Sequence, residues 1–202
     1  MKRLAVFCGS STGLDGAHAG LASELGRTMA REGIGLVYGG AAIGLMGRLA
    51  DAVLEHGGSV TGIIPDFFSR KEIAHQGLQE LIFVPSMHER KLRMAELADG
   101  FIAMPGGFGT LDELFEIITW AQLDLHRKPV GMLNSKGYFN LLLGFIDHMF
   151  AEGFLRDQHH SMLIREEDPQ RLIDRMRHYR APEQSKWIGL IKALSFRNGG
   201  PV

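Results

Sequence analysis

The chain has 202 residues, of which 45% are apolar, 22% are charged and 26 are glycines, a balance that suits one globular domain and argues against disorder or a collagen-like repeat. Its 22 Lys and Arg against 23 Asp and Glu give a formal charge of −1, so no net positive field draws it to nucleic acid or an anionic membrane. The single cysteine, Cys8, excludes an intramolecular disulfide and a multi-cysteine zinc site and points to a reducing compartment, with the cytoplasm as the default. The longest uncharged stretch, 33–47, is too short and too rich in glycine to span a bilayer. Met1-Lys2-Arg3 runs straight into a strand pattern, so neither a signal peptide nor a membrane anchor is expected.

In chain order, apolar runs of strand length at 4–8, 35–38, 59–64, 81–84, 100–104 and 130–133 predict buried parallel strands. Between them, 15–32, 44–56, 86–98 and 110–123 carry helical patterns uninterrupted by proline. Further on, 138–150 reads as a helix with Gly153 as its stop, 162–164 as a short strand and 169–178 as another helix. Such alternation predicts a Rossmann-like, doubly wound α/β fold: a mainly parallel sheet with helices on both faces and ligands beyond the carboxyl ends of the strands. One nucleotide-binding-type domain is expected over 1–180. Residues 181–202 read as a C-terminal helix at 183–194 followed by a flexible tail.

Three glycine-rich turns fall where such a fold binds ligands. The first, Phe7-Cys8-Gly9-Ser10-Ser11-Thr12-Gly13, offers backbone N–H groups and hydroxyls to an anion, Gly9 and Ser10 foremost, although a plain capping loop has the same composition. The second contains Tyr38-Gly39-Gly40-Ala41-Ala42 and then Gly44 and Gly47, and its small residues, Gly39 and Gly40 above all, permit close approach of ligand or backbone. Its spacing is not G-x-G-x-x-G, and no acid stands about 20 residues downstream as a ribose clamp, so it is not a dinucleotide fingerprint.

The third turn, Pro105-Gly106-Gly107-Phe108-Gly109-Thr110-Leu111-Asp112-Glu113, brings glycine backbone, a hydroxyl and acids to one helix start. No Walker lysine follows the glycines, so a monophosphate suits it better than a triphosphate. Glu113 has two competing roles: Thr110-x-x-Glu113 matches a capping box, yet a phosphate on the same N–H groups would free the carboxylate to face a ligand. Upstream, Arg90 and Lys91 sit at the start of a predicted helix, where cations oppose the helix dipole unless an anion compensates. The plain alternative is a solvated charged face with Glu89 and Glu96 as partners.

Taken together, Cys8-Gly9-Ser10-Ser11, Leu36-Val37-Tyr38-Gly39-Gly40, Gly44-Leu45-Met46-Gly47, Met87-His88-Glu89-Arg90-Lys91 and the Pro105 to Glu113 motif resemble the LOG family of nucleoside 5′-monophosphate phosphoribohydrolases, many of which were once labelled lysine decarboxylases. The resemblance runs from about Leu4 to Phe154 and includes Trp120-Ala121-Gln122-Leu123 and Lys128-Pro129-Val130-Gly131. It implies a homodimer that hydrolyses the N-glycosidic bond of AMP or N6-substituted (cytokinin) riboside monophosphates to free base and ribose 5-phosphate, with no cofactor and no metal. It also implies Arg90 and Glu113 as the catalytic pair. Substrate-binding positions would be Lys91, Gly106, Gly107, Phe108, Gly109, Thr110, Leu111 and Asp112, with Glu72 as a further binding acid and Met94 and Thr119 as additional candidates. Core or dimer packing is the competing reading for Met94 and Trp120. Two departures stand out: Ala41 replaces the usual third glycine of the second turn, and Asp112 replaces the usual Glu.

Two other functions compete. A decarboxylase needs a pyridoxal phosphate lysine or another electron sink, and Lys91 is the only lysine in a convincing site. A nucleotide or cofactor carrier would keep the fold without turnover. Nine histidines raise the question of a metal, but H-E-x-x-H is absent and His159 and His160 are adjacent in sequence. His75 and His88 flank the proposed site and are candidates for hydrogen bonding to substrate or for structural roles.

Overall fold

The protein is described here by a computed structural model that covers residues 1–14, 16–69 and 73–183. The expected binding acid Glu72, the first predicted helical residue Asp15, and all but the first residue of the predicted 183–194 helix with the tail beyond it lie outside the described residues.

Seven strands form one sheet: β1 (Arg3–Phe7), β2 (Gly35–Tyr38), β3 (Val60–Pro65), β4 (Glu80–Val84), β5 (Gly100–Ala103), β6 (Val130–Leu133) and β7 (Leu163–Glu166). Their order is β4-β3-β2-β1-β5-β6-β7, and every adjacent pair is parallel. β2, β3, β5 and β6 are buried along their whole length, which is why they read in sequence as short continuous apolar runs without alternation. The edge strands β4 and β7 are more exposed. The doubly wound α/β architecture expected from the sequence is present.

Helices α1 (Ala17–Arg31), α2 (Gly44–Glu55) and α8 (Pro169–Arg177) cover one face, where Leu25, Met29, Leu49, Val53, Leu172 and Ile173 meet Leu4, Val6, Leu36 and Tyr38. α1 and α2 approach closely at Gly26: a Cβ there would lie 2.7 Å from the Leu49 carbonyl oxygen and 2.8 Å from the Ala52 Cβ, so only glycine permits this contact. The other face is covered by α4 (Met87–Leu97), α5 (Phe108–Gln122) and α6 (Asn140–Ala151), whose Met94, Leu114, Ile117, Leu143 and Ile146 meet Ala5, Phe7, Phe101 and Met132. Each such fully buried aliphatic side chain stabilises the fold by roughly 1.5–3 kcal/mol relative to exposure.

Two single-turn helices, α3 (Asp66–Ser69) and α7 (Asp157–His160), and a 3₁₀ turn at Ser135–Gly137 complete the described elements. They are too short to show a helical period. Gly153, with φ 78°, sits two residues beyond α6 in the left-handed region, as its reading as a helix stop requires. Strand order reverses between β1 and β5, so the crevice of a doubly wound sheet opens between the loops that leave those two strands.

Candidate active site

The loops at this reversal are the first and third glycine turns, and the backbone locks them together. Gly9 N–H donates to the Pro105 carbonyl at 3.0 Å, and Leu45 N–H, in the first turn of α2, donates to the Gly9 carbonyl at 3.0 Å. A Cβ at Gly9 would sit 3.3 Å from the Gly106 Cα, and one at Gly106 would lie 2.9 Å from the Gly9 nitrogen, so two glycine backbones are in direct contact. Gly44, at φ 62°, passes so close to the Ser10 backbone that no side chain fits. The three turns are therefore one object built from main chain. Above it, Gly107 and Gly109 face open space, and the first amides of α5 have no intrahelical acceptor.

α5 begins at Phe108 with Gly107 as its N-cap and no side-chain cap, two residues earlier than the sequence pattern suggests. Thr110 thus lies inside the helix, buried against Gly106, and the capping-box reading of Thr110 and Glu113 is corrected. Glu113 instead reaches Arg90: the guanidinium Nη2 donates to its Oε1 in an ion pair whose side chains are only 14% and 7% exposed. Burial pushes the Glu113 carboxyl above the ordinary glutamate range, while the Arg90 charge and hydrogen bond pull it back. Arg90 Nε, also buried, has no hydrogen-bond partner among the described residues. Against its other side lies Gly39, where a Cβ would come within 3.1 Å of Nη2.

Arg90 and Lys91 part company because consecutive helical residues point about 100° apart. Lys91 Nζ reaches Asp112 Oδ2 at 3.1 Å and Glu116 Oε2 at 3.0 Å. Burial lowers its pKa, but these two carboxylates more than offset that, and the ammonium is held above its usual value. The α4 cations are therefore compensated by acids of α5. Glu89 and Glu96, the partners of a solvated face, are not theirs: Glu96 pairs with Arg93 at 3.0 Å on the surface. α4 does have a side-chain cap, Ser86 Oγ accepting from Glu89 N–H at 3.2 Å.

The same helical period divides the expected binding residues. Thr110 and Glu113 lie on the buried side of α5, whereas Leu111, Asp112 and Thr119 line a groove on its outer side with Phe115, Glu116 and Trp120. Thr119 spends its hydroxyl on the Phe115 carbonyl at 2.7 Å. Met94 is 1% exposed in the core under the sheet, so its placement among substrate contacts is corrected in favour of packing. Phe108 is 94% exposed at the rim of the turns. Gly9, Gly39, Gly40, Gly106, Gly107 and Gly109 are all in the turns, and Ser10 is exposed beside Gly44. Ala41 has a negative φ and forms a bridge with Ala74, so replacing the third glycine costs no backbone strain.

One residue of the site carried no sequence signal: Tyr138, after the 3₁₀ turn, donates its hydroxyl to the Gly106 carbonyl at 2.7 Å and packs edge-on against His18. Cys8 is buried beside the pair, and burial together with the Glu113 charge drives its thiol pKa far up, the opposite of an activated nucleophile. His88 is exposed. Among the described residues no group of three His, Cys, Asp or Glu side chains could hold a metal, and no helix is long and apolar enough to cross a membrane.

Residues 46–176 match the family model described as possible lysine decarboxylase. The cytokinin riboside 5′-monophosphate phosphoribohydrolase of Rhodococcoides fascians is 49% identical over 164 residues, covering 81% of this chain and 83% of that protein. The enzyme LOG of Oryza sativa subsp. japonica is 43% identical over 190 residues, covering 94% of this chain and 77% of its own. The chain belongs to the LOG phosphoribohydrolase family. Among solved structures, the molybdenum cofactor binding protein of Rippkaea orientalis superposes with a TM-score of 0.68 at 20% identity, covering 88% of this chain and 96% of that one. The molybdenum cofactor carrier of Chlamydomonas reinhardtii gives 0.64 at 18%, covering 88% and 98%. At such identities these two share the fold alone with this LOG-family chain. Members of the LOG family are enzymes that cleave a nucleotide's glycosidic bond, and a lysine decarboxylase activity lacks support in the site, where Lys91 is committed to two carboxylates.

Proposed function

We propose that this LOG-family protein hydrolyses the N-glycosidic bond of AMP or an N6-substituted AMP to give the free base and ribose 5-phosphate. The observation that carries the reading is the buried Arg90–Glu113 pair set against three interlocked glycine turns at the strand-order reversal. Open space over Gly107 and Gly109 and the free amides of α5 suit the 5′-phosphate. In the reaction the bond between ribose C1′ and the base nitrogen breaks, water supplies hydroxide to C1′, and the base leaves with a proton. Positive charge grows on the ribose ring, and an ionised Glu113 stabilises it or activates the water. Arg90 orients ribose or phosphate and holds Glu113 in place; as a permanent cation it is not the proton donor.

Incubation with AMP and with N6-isopentenyl AMP, followed by chromatography, tests this: wild type releases base and ribose 5-phosphate, and Glu113→Gln loses about 10²–10⁴ in kcat while remaining folded. Full activity in Glu113→Gln would remove the carboxylate from the mechanism. Tight binding without product would favour a carrier.

The functional unit is a homodimer in this reading, and the apolar outer surfaces of α4 and α6, where Leu92, Leu141 and Phe145 are exposed, are the interface. The single, buried cysteine fits a reducing compartment, the cytoplasm.

A further inference from the structure

The second glycine turn is fastened from outside the catalytic pair. After α3 the chain returns at 73–77 and lies antiparallel on the turn: Ala42 N–H donates to the Ile73 carbonyl at 2.8 Å, His75 N–H donates to the Gly40 carbonyl at 2.9 Å, and Ala41 bridges Ala74. His75 is buried, and both of its ring nitrogens are engaged. Nδ1 accepts from Gly77 N–H at 3.1 Å, which fixes the tautomer and leaves the proton on Nε2, and Nε2 donates to Asp51 Oδ1 at 2.9 Å. Asp51 belongs to α2, the helix that the second turn opens into, so the bond closes a ring of turn, helix and returning segment. Gly39, one residue ahead of the fastened stretch, is the surface on which the Arg90 guanidinium rests, with a Cβ position 3.1 Å from Nη2 and 3.3 Å from Cζ.

We infer that Asp51 and His75 form a positioning clasp for the Arg90 seat. Their hydrogen bond holds 73–77 on Gly40–Ala42, which keeps Gly39 against the guanidinium and so keeps Arg90 aligned with Glu113. Both ring nitrogens of His75 are engaged within the protein, so the clasp uses it in the structural of its two expected roles. Without the side-chain bond the segment is held by the two backbone hydrogen bonds alone, and displacement of a seated catalytic group by about 1 Å is enough to cost on the order of 10²-fold in rate. The same clasp explains how Ala41 is accommodated: it is committed to a strand-like bridge with Ala74, a conformation any residue adopts.

The inference rests on the proposed role of Arg90, and the test separates the two. Base release from AMP is measured for wild type, Asp51→Ala, Asp51→Asn, Arg90→Lys and the Asp51→Ala/Arg90→Lys double variant, with Tm for each. Asp51 is 53% exposed at its side chain, so its replacement leaves the core intact. Asp51→Ala is expected to lower kcat about tenfold or more with KM changed less than about threefold, while Asp51→Asn, whose side-chain oxygen still accepts from Nε2–H, stays within about threefold of wild type. In the double variant the loss should be no greater than in Arg90→Lys alone, because the clasp acts through Arg90. Wild-type kcat in Asp51→Ala, with or without a lower Tm, overturns the clasp, as do losses that multiply in the double variant. If Asp51→Ala does not fold, Asp51→Ser, which also cannot reach Nε2, is measured in its place with the same expectations. Inactive wild type would instead overturn the proposed function and leave the Asp51→Ala comparison to be read as nucleotide affinity, where a change of less than about threefold overturns the clasp as well.

Discussion

On one face of the sheet α1, α2 and α8 bury Leu25, Met29, Leu49, Val53, Leu172 and Ile173, and no large apolar side chain of these three helices is exposed among the described residues. On the other face α4 and α6 bury Met94, Leu143 and Ile146 beneath them but leave Leu92, Leu141 and Phe145 outside, with Leu141 92% exposed. The two faces share one sheet and similar cores, so the difference is not in what holds the domain together. It lies in what each face does next. The closed face reaches the site through the turns that open α1 and α2 and through Asp51 of α2, whereas the helices of the open face carry Arg90 and Glu113 themselves. Placing both side chains of the proposed catalytic pair on the face that still has surface to cover couples the site to whatever covers it.

The comparison can be broken in three ways. The largest expected effect is on the closed face: Leu49→Ala, at a fully buried position in α2, should lower stability by about 2–5 kcal/mol in denaturant titration while kcat per folded molecule stays unchanged. A large loss of kcat at constant folded fraction would show that the core packing of this face also acts on the chemistry. Next, if the proposed homodimer forms through the open face, Leu141→Lys with Phe145→Lys should weaken it about 10²-fold in sedimentation equilibrium at little cost to the monomer's Tm, since both side chains are exposed in the isolated chain. Unchanged self-association would move the interface elsewhere.

The smallest expected effect is a pH limb, which sharpens the contrast because the open face, among the described residues, holds the buried acid at the site. Burial raises the Glu113 carboxyl above its ordinary value of 4.5, with Arg90 opposing the shift. A reaction that needs the ionised form should therefore lose kcat on the acid side with an apparent midpoint above 4.5, and Arg90→Gln should move that midpoint higher still in the residual activity. The stability linkage has a definite sign: the folded protein binds this proton more tightly than the unfolded chain does, so the contribution of Glu113 to stability declines as pH rises from 4.5 through the folded midpoint. A pH–rate profile and denaturant titrations at several pH values check both.

Much of this was legible in the sequence, for identifiable reasons. Central parallel strands leave continuous apolar runs, so β2 and β6 fall at 35–38 and 130–133 as expected and the other strands shift by one or two residues. The turns were legible because glycine is required where two backbones touch, as at Gly9 and Gly106. The motif around Glu113 was harder because a sequence is linear and a helix is not. Thr110, Leu111, Asp112 and Glu113 look like one binding strip, but the 3.6-residue period sends two inward and two outward, and the true N-cap is a glycine with no side chain to announce it. Arg90 and Lys91 were separated by the same geometry. Tyr138 and Asp51 had no local pattern at all, since each acts on a residue distant in sequence: Tyr138 on the Gly106 carbonyl and Asp51 on His75.

Cys8 has a practical consequence. It is the chain's only thiol, it is buried, and its environment strongly disfavours the thiolate that alkylating reagents require. A cysteine introduced at an exposed position outside the proposed interface, such as Phe154, would therefore be the single reactive handle on the molecule without any need to mutate the native one. A spin label or fluorophore placed there would report the separation of two copies in solution, and the same label followed during turnover would show whether they move relative to one another as nucleotide is consumed.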